Sequence, residues 1–370
     1  MQAQVVNMYV CDMATPSNTS EVKRLFEDGG VKPETVFALV GKSEGTGLVD
    51  DFGRELAHQS LREALGEALG VSRDEVENRV AIVLSGGAFG VVTPHVTVVT
   101  REFVEVEHES TDERLSVGRA YSQPILGEDI GRMAQVEKVA SAVREAQLDA
   151  AIESARQVHS VLVKGPSLSR QSLDAARARG ADVVTDDLPT SMSYSNDGAA
   201  LGVALALGEV PRDKLSDSVI RKDWSLYSDV ASTSSGGEKT RAEVLVFGNS
   251  KGSASKLRIG HGITRDLIDV GGVKQALRSA GLVFDCCPSA EDLERVVQVF
   301  AKVILPAEGQ VRGHRITLTE DIEAAKSAKC VGGALVASII GKTSIFMSGG
   351  ERNSHQGPPD GSPIAAIVRV

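Results

Sequence analysis

The sequence predicts an α/β protein built from a three-fold internal repeat. Short runs rich in Val and Ile, several of them ending in glycine, alternate with segments of helical periodicity along the chain. In three successive rounds an apolar run ends on a lysine, and a later turn places a serine before glycine or another small residue. Such recurrence is typical of proteins assembled from repeated structural units.

The first repeat unit is predicted at residues 1–105. Its expected elements are strands at 5–10, 36–41 and 80–87 and helices at 21–27 and 54–69. Leucines recur at helical spacing in the second helix, with Glu and Arg between them. Asp50 and Asp51 precede that helix, where N-cap residues belong.

Two further units are predicted at 112–250 and 256–370, each beginning after a polar stretch. The second is expected to contain strands at 158–166 and 243–249, helices at 170–179 and 198–207, and a serine-rich turn at 231–237. The third is expected to contain a strand at 296–305 and a helix around 321–328, followed by the apolar segments GALVASIIG and SIFMSGG.

Composition argues against several functional classes. A net charge of -10 repels the phosphate backbone, so a nucleic-acid partner is not expected. The N-terminus lacks signal-peptide features and no apolar run is long enough to span a bilayer, so we expect a cytoplasmic protein without a membrane partner. The four cysteines form no C-x-x-C pair, which argues against a zinc ribbon or a disulfide framework.

The repeated lysines and serines indicate nucleophilic catalysis. The ordered pairs are Lys42 with Ser85, Lys164 with Ser234, and Lys302 with Ser348. A serine hydroxyl is a weak nucleophile until a base removes its proton, and a lysine can be that base when burial and neighbouring cations lower its pKa. A Ser-Gly-Gly turn also frees backbone N–H groups to hold an oxyanion. The residues after the three serines, Gly86, Ser235 and Gly349, are therefore predicted to contact the substrate.

Simpler interpretations exist for single motifs. Lysines at strand ends and Ser-Gly-Gly turns are common one at a time, whereas three ordered pairs in three repeats are harder to attribute to chance. The glycine-rich stretches at 45–47 and 86–90 complete no phosphate-binding pattern and are predicted to be turns. The seven histidines show no H-x-x-x-H or H-E-x-x-H spacing, so no metal centre is predicted from them.

Several motifs together resemble the ring-opening amidohydrolases, the family of cyanuric acid hydrolase and barbiturase. They are LVGKSEGTGLVDDFGRE, VLSGGAFGVVTPH, SMSYSNDGAALGVALALGEV, ASTSSGG and SGGERNSHQGPPDGSP, and the similarity covers essentially the whole chain. The resemblance implies three equivalent units with pseudo-three-fold symmetry around one central active site, three Ser-Lys dyads and a homotetramer. It also implies that Ser234 is the nucleophile, Lys164 its base, and Arg54 a substrate-clamping arginine.

The chain departs from the family pattern at several positions, and three of them affect the expected substrate or metal. Asn196 and Lys326 stand where the cyanuric acid hydrolases carry arginines, and we expect both to contact the substrate. Ile304 stands where the family often has a glutamate that binds a structural divalent ion. Because an apolar side chain cannot bind a hard cation, no metal or other cofactor is predicted.

These departures make the predicted pocket asymmetric. Cyanuric acid presents three equal carbonyls, whereas barbituric acid has a methylene in place of one ring N–H, so the expected substrate is a small cyclic amide like barbituric acid. Cyanuric acid is the alternative substrate. A non-catalytic binder of cyclic metabolites and a structural or interaction protein are the rival functions.

Overall fold

Three four-stranded sheets with the same strand order form the framework of the protein. The computed structural model describes residues 1–48, 51–108 and 110–370. In each sheet the second and third strands run parallel, and the fourth lies antiparallel between the first and the second. The α/β class with three repeated units is thus confirmed. Within the described residues, no helix is long and apolar enough to cross a lipid bilayer.

The first sheet is built from the N-terminal part of the chain. It contains β1 (Gln2–Asp12), β2 (Val36–Lys42), β3 (Ala81–Ser85) and β4 (His95–Glu105), accompanied by α1 (Ser20–Glu27), α2 (Phe52–Leu69) and α3 (Arg73–Arg79). Helix α2 begins at its N-cap Asp51 and ends at Gly70, which adopts the left-handed conformation common at helix C-termini. Asp50, the other predicted cap residue, lies outside the described residues.

In the second sheet the first strand and the first helix were not predicted, and two of the predicted elements differ from the structure. It contains β5 (Arg114–Tyr121), β6 (Val158–Pro166), β7 (Ala231–Gly236) and β8 (Glu243–Ser250), with α4 (Met133–Asp149), α5 (Arg170–Ala178) and α6 (Leu188–Leu207). The predicted serine-rich turn is strand β7, because its small polar residues pair in register with β6. Helix α6 begins ten residues before its predicted start, since Asp187 caps a first half that is polar and lacks an apolar stripe.

The third sheet completes the framework. It contains β9 (Leu257–Thr264), β10 (Val296–Ile304), β13 (Phe346–Glu351) and β14 (Ser362–Arg369), with α7 (Val270–Ser279), α8 (Ala290–Arg295) and α9 (Ala324–Ile340); β11 (Gln310–Val311) and β12 (His314–Arg315) form a small hairpin. The predicted helix around 321–328 is only the start of α9, which also includes the GALVASIIG segment. The two strand-to-strand links run from Glu105 to Arg114 and from Ser250 to Leu257. The division into units 1–105, 112–250 and 256–370 stays a prediction.

Each sheet has two buried faces. One face of every sheet contributes to a shared central core, where Phe247, Phe300 and Phe346 meet edge to face. The other face packs against helices of the same part of the chain, and Leu39 of β2 and Leu61 of α2 belong to one such buried cluster. Burying one such large apolar side chain contributes roughly 1.5–3 kcal/mol. The shared core therefore joins the three sheets and brings the ends of β2, β6 and β10 to one place.

Candidate active site

Strand register places each predicted lysine directly opposite its predicted serine. In the three parallel strand pairs the opposed residues are Lys42 and Ser85, Lys164 and Ser234, and Lys302 and Ser348. The three pairs occupy the same position in their respective sheets, near the carboxyl ends of the strands. Ligands of α/β proteins commonly bind at this edge.

The three strand ends surround one cavity of about 300 Å³. Of the twelve predicted site residues, those that line it are Ser85, Ser234, Ser348, Lys164, Lys302, Arg54, Gly86, Asn196, Ser235, Lys326 and Gly349. Lys42 lies behind Ser85 and is almost completely buried. The structure thus assembles residues from all three parts of the chain into a single polar site.

The first pair is joined by a direct hydrogen bond. The Lys42 Nζ donates to Ser85 Oγ at 3.1 Å and also to the Gly86 carbonyl. Burial, followed by the charge of Lys329, lowers the pKa of Lys42 well below its usual value. Among the described contacts, this is the one predicted pair in which the amine bonds to its serine.

The second pair is arranged differently. The Lys164 Nζ donates to the Ser235 carbonyl at 3.1 Å and lies 3.3 Å from the Glu238 carboxylate. Burial lowers the pKa of Lys164 to about 8, although the charge of Glu238 acts to raise it. Ser234 is partly exposed to the cavity, whereas Ser85 and Ser348 are 8% and 4% exposed. Ser234 is therefore the most accessible of the three serines.

The third lysine connects two sheets. The Lys302 Nζ donates to the Thr233 carbonyl of β7 at 2.9 Å instead of to Ser348. Burial lowers the pKa of Lys302, and the nearby carboxylates of Glu351 and Asp197 oppose that shift. Lys302 thus helps to hold the strand that carries Ser234.

The predicted substrate-clamping residues differ in their surroundings. Arg54, 7% exposed in the first turn of α2, donates to the Leu48 carbonyl at 3.2 Å. Asn196 on α6 donates its amide to Glu351 at 2.7 Å, and its Oδ1 is buried without a hydrogen-bond partner among the described residues. Lys326 on α9 is partly exposed and forms an ion pair with Glu323 at the cavity wall.

Three charged residues of the site were not predicted. Lys329, one helical turn beyond Lys326, also lines the cavity, and burial followed by the charge of Lys302 lowers its pKa to about 8. Burial and the Asp197 carboxylate raise the pKa of Glu351 to about 7. Glu238 contacts Lys164, as described above. A sequence signal existed for both glutamates, because each follows a Ser-Gly-Gly motif.

Asp51 organises the loop that leads into α2. Its carboxylate accepts hydrogen bonds from the backbone N–H groups of Gly47 at 2.7 Å and Arg54 at 2.9 Å. Gly86 lies against the same carboxylate, and a Cβ at this position would come within 1.6 Å of it. Glycine at position 86 therefore allows the strand end, the capping residue and Arg54 to approach closely.

Replacing Asp51 by alanine is expected to lower the free energy of unfolding by about 1–2 kcal/mol and to raise KM, because the cap that positions Arg54 is lost. Urea denaturation and steady-state kinetics measure the two effects. Ser72→Ala removes the exposed N-cap of α3, where the side chain accepts the Glu75 N–H, and should change stability without changing KM. A rise in KM of equal size in both variants would contradict the local role of Asp51.

The residues around position 304 do not fit a divalent ion. Ile304 is buried and apolar, and hard cations require oxygen ligands. In the part of the chain that the structure describes, no cluster of three or more His, Cys, Asp or Glu side chains is placed to hold a metal ion. The absence of a cofactor stays a prediction.

Known proteins resemble this chain along nearly its whole length. A family model described as amidohydrolase ring-opening protein matches residues 7–369. A cyclic amide hydrolase of Pseudofrankia inefficax is 52% identical over 368 residues, which cover 98% of this chain and 94% of that protein. Barbiturase 1 of a Nocardioides species is 39% identical and covers 95% of each chain. A solved structure of a cyanuric acid hydrolase, 39% identical, superposes with a TM-score of 0.93 over 100% of both chains.

Proposed function

Because this chain belongs to the family of ring-opening amidohydrolases, we propose that it hydrolyses a small cyclic amide through a serine nucleophile activated by a lysine. The observation that carries the proposal is the set of three Lys/Ser pairs in equivalent register around one cavity. A volume of about 300 Å³ is at the lower end of the range for small-molecule sites and suits a single ring.

The proposed mechanism begins with Ser234. Neutral Lys164 removes the hydroxyl proton while the oxygen attacks a ring carbonyl, and backbone N–H groups near Ser235 hold the oxyanion. The C–N bond then breaks, and the ring nitrogen takes the proton from Lys164. Water attacks the resulting ester, losing its proton to Lys164, and Ser234 recovers a proton as the acid is released. The other two pairs hold and polarise the remaining carbonyls.

Two features support the choice of this pair. Of the three paired serines, Ser234 is the most open to the cavity. A lysine whose pKa is about 8 is partly neutral near pH 7.5, as a general base must be. The Lys42–Ser85 hydrogen bond makes Ser85 the second candidate for the nucleophile.

Barbituric acid is the proposed substrate. Lysine and arginine side chains line part of the cavity, whereas Asn196 and Glu351 line another part with amide and carboxyl groups. The cavity therefore does not present three equivalent groups to the three sides of a ring. An asymmetric cavity suits a ring whose edges differ. Cyanuric acid stays the alternative, and a turnover assay of the purified protein on both rings decides between them.

Mixing enzyme and substrate and quenching within the first turnover is expected to yield a covalent adduct on the peptide that carries Ser234. Intact-protein and peptide mass spectrometry detect it. Ser232→Ala, on the same strand but outside the cavity lining, should leave the adduct unchanged. An adduct on Ser85 would move the nucleophile, and binding without any turnover would indicate a non-catalytic binder.

The proposal also includes a cytoplasmic homotetramer, by resemblance to the family. Light scattering coupled to size-exclusion chromatography measures the number of subunits.

A further inference from the structure

The lysines of the three Lys/Ser pairs differ in their acidic partners. Lys164 lies 3.3 Å from the Glu238 carboxylate. Among the described residues, neither Lys42 nor Lys302 has a carboxylate within ion-pair distance; their amines bond to a serine hydroxyl and to backbone carbonyls. The pair that contains the proposed nucleophile Ser234 is therefore the one whose lysine amine contacts a carboxylate.

Glu238 stands between Lys164, the proposed base, and Arg54, which is predicted to clamp the substrate. It follows β7, four positions after Ser234. One carboxylate oxygen faces Lys164, and the other lies 3.9 Å from the Arg54 guanidinium. Gly236 makes room for it, because a Cβ at this position would come within 2.1 Å of the carboxylate. The local backbone is thus built to bring this side chain against Lys164.

We propose that Glu238 is a positioning residue that holds the Lys164 amine toward itself and away from Ser234, and thereby regulates the dyad. The inference rests on the proposed function, since it assumes that Lys164 is the general base. In this structure the Lys164 amine bonds to the Ser235 carbonyl and contacts Glu238, whereas no bond to the Ser234 hydroxyl is formed. Neutral Lys164 has no charge to hold it at Glu238, which frees the amine to turn toward the serine.

The surrounding charges determine the sign of the expected effect. The charged or titratable groups near Lys164 and Glu238 are Arg54 and His58 of α2, Lys239 after β7, and Glu243 of β8. Burial acts to raise the pKa of Glu238, but the charges of Lys164 and Arg54 lower it to about 2, so Glu238 is ionised across the working range. Burial lowers the pKa of Lys164 and Glu238 opposes this, so loss of the carboxylate lowers that pKa further.

The test is the pH profile of kcat/KM for Glu238→Gln, which removes the charge and keeps the shape. The acidic limb is expected to move to lower pH by about one unit or more, since a neighbouring opposite charge typically shifts a pKa by 1–3 units. Glu238→Asp, which restores the charge, is expected to return the limb toward that of the wild type.

Glu77→Gln is the matched control. Glu77 is a nearby acid that pairs with Lys239 and Arg62 at 3.3 Å each and does not contact Lys164. Its removal should leave the limb in place. An unmoved limb in Glu238→Gln, or an equal shift in Glu77→Gln, overturns the proposal.

Two further readouts keep the test decisive. If Glu238→Gln does not fold, as judged by circular dichroism, the pH profile of Glu238→Asp alone tests the proposal. An acidic limb near that of the wild type supports the proposal. An acidic limb shifted by as much as one unit despite the retained charge counts against it. Full activity of Lys164→Met would instead refute the assigned base. That result is distinct from a failure of the proposal for Glu238. In that case Lys164→Met loses activity, but the acidic limb does not move when Glu238 is replaced.

Discussion

Replacing Ser234 by alanine is expected to lower kcat by roughly a thousandfold to a millionfold, because no other group can form the covalent intermediate at that position. Ser234 is partly exposed to the cavity, and its removal deletes only one hydroxyl, so the fold should be unaffected. Steady-state turnover of barbituric acid and cyanuric acid measures the loss, and circular dichroism checks the fold.

The equivalent serines provide the internal comparison for this prediction. Ser348→Ala is expected to weaken substrate binding more than it slows the chemical step, because Ser348 is assigned to holding a carbonyl. Ser85→Ala tests the second candidate, whose hydroxyl accepts the Lys42 hydrogen bond. Near-complete loss of kcat in Ser85→Ala together with retained activity in Ser234→Ala would transfer the nucleophile to the first pair.

Replacing Lys164 by methionine is expected to lower kcat by about 10²- to 10⁴-fold, the usual contribution of a general base. The substitution keeps much of the apolar stem and removes the amine. In the wild type, kcat/KM should rise about tenfold per pH unit up to about pH 8, since only the neutral lysine can accept the serine proton. Rate measurements between about pH 6 and about pH 10, about two units either side of the limb, test both statements.

Lys302→Met serves as the control for this second prediction. It removes an equally buried amine whose bond goes to the Thr233 carbonyl, so a smaller loss of kcat and an unchanged acidic limb are expected. Should Lys164→Met keep the wild-type profile while Lys302→Met loses the limb, the base would be assigned to the third pair.

The repeated motifs were sufficient to predict the fold class and to pair each lysine with a serine of the same repeat. In the structure a parallel strand pair carries both residues of each pair to the same edge, and the strand pairing sets the register that places them opposite each other. Two of the elements that differ from their prediction have a common cause. Strand β7 and the first half of α6 are rich in small polar residues, and their conformation is determined by pairing and packing with neighbours and not by an apolar period.

The sequence by itself determined which residues form the three pairs and which family the chain resembles. Only the tertiary structure decided how the three pairs differ. A lysine amine sits on a long flexible stem, so its partner depends on groups supplied by distant segments: Ser85 for Lys42, Glu238 for Lys164 and the Thr233 carbonyl for Lys302. Burial, which lowers the pKa of all three lysines, likewise arises only when the sheets meet around the cavity.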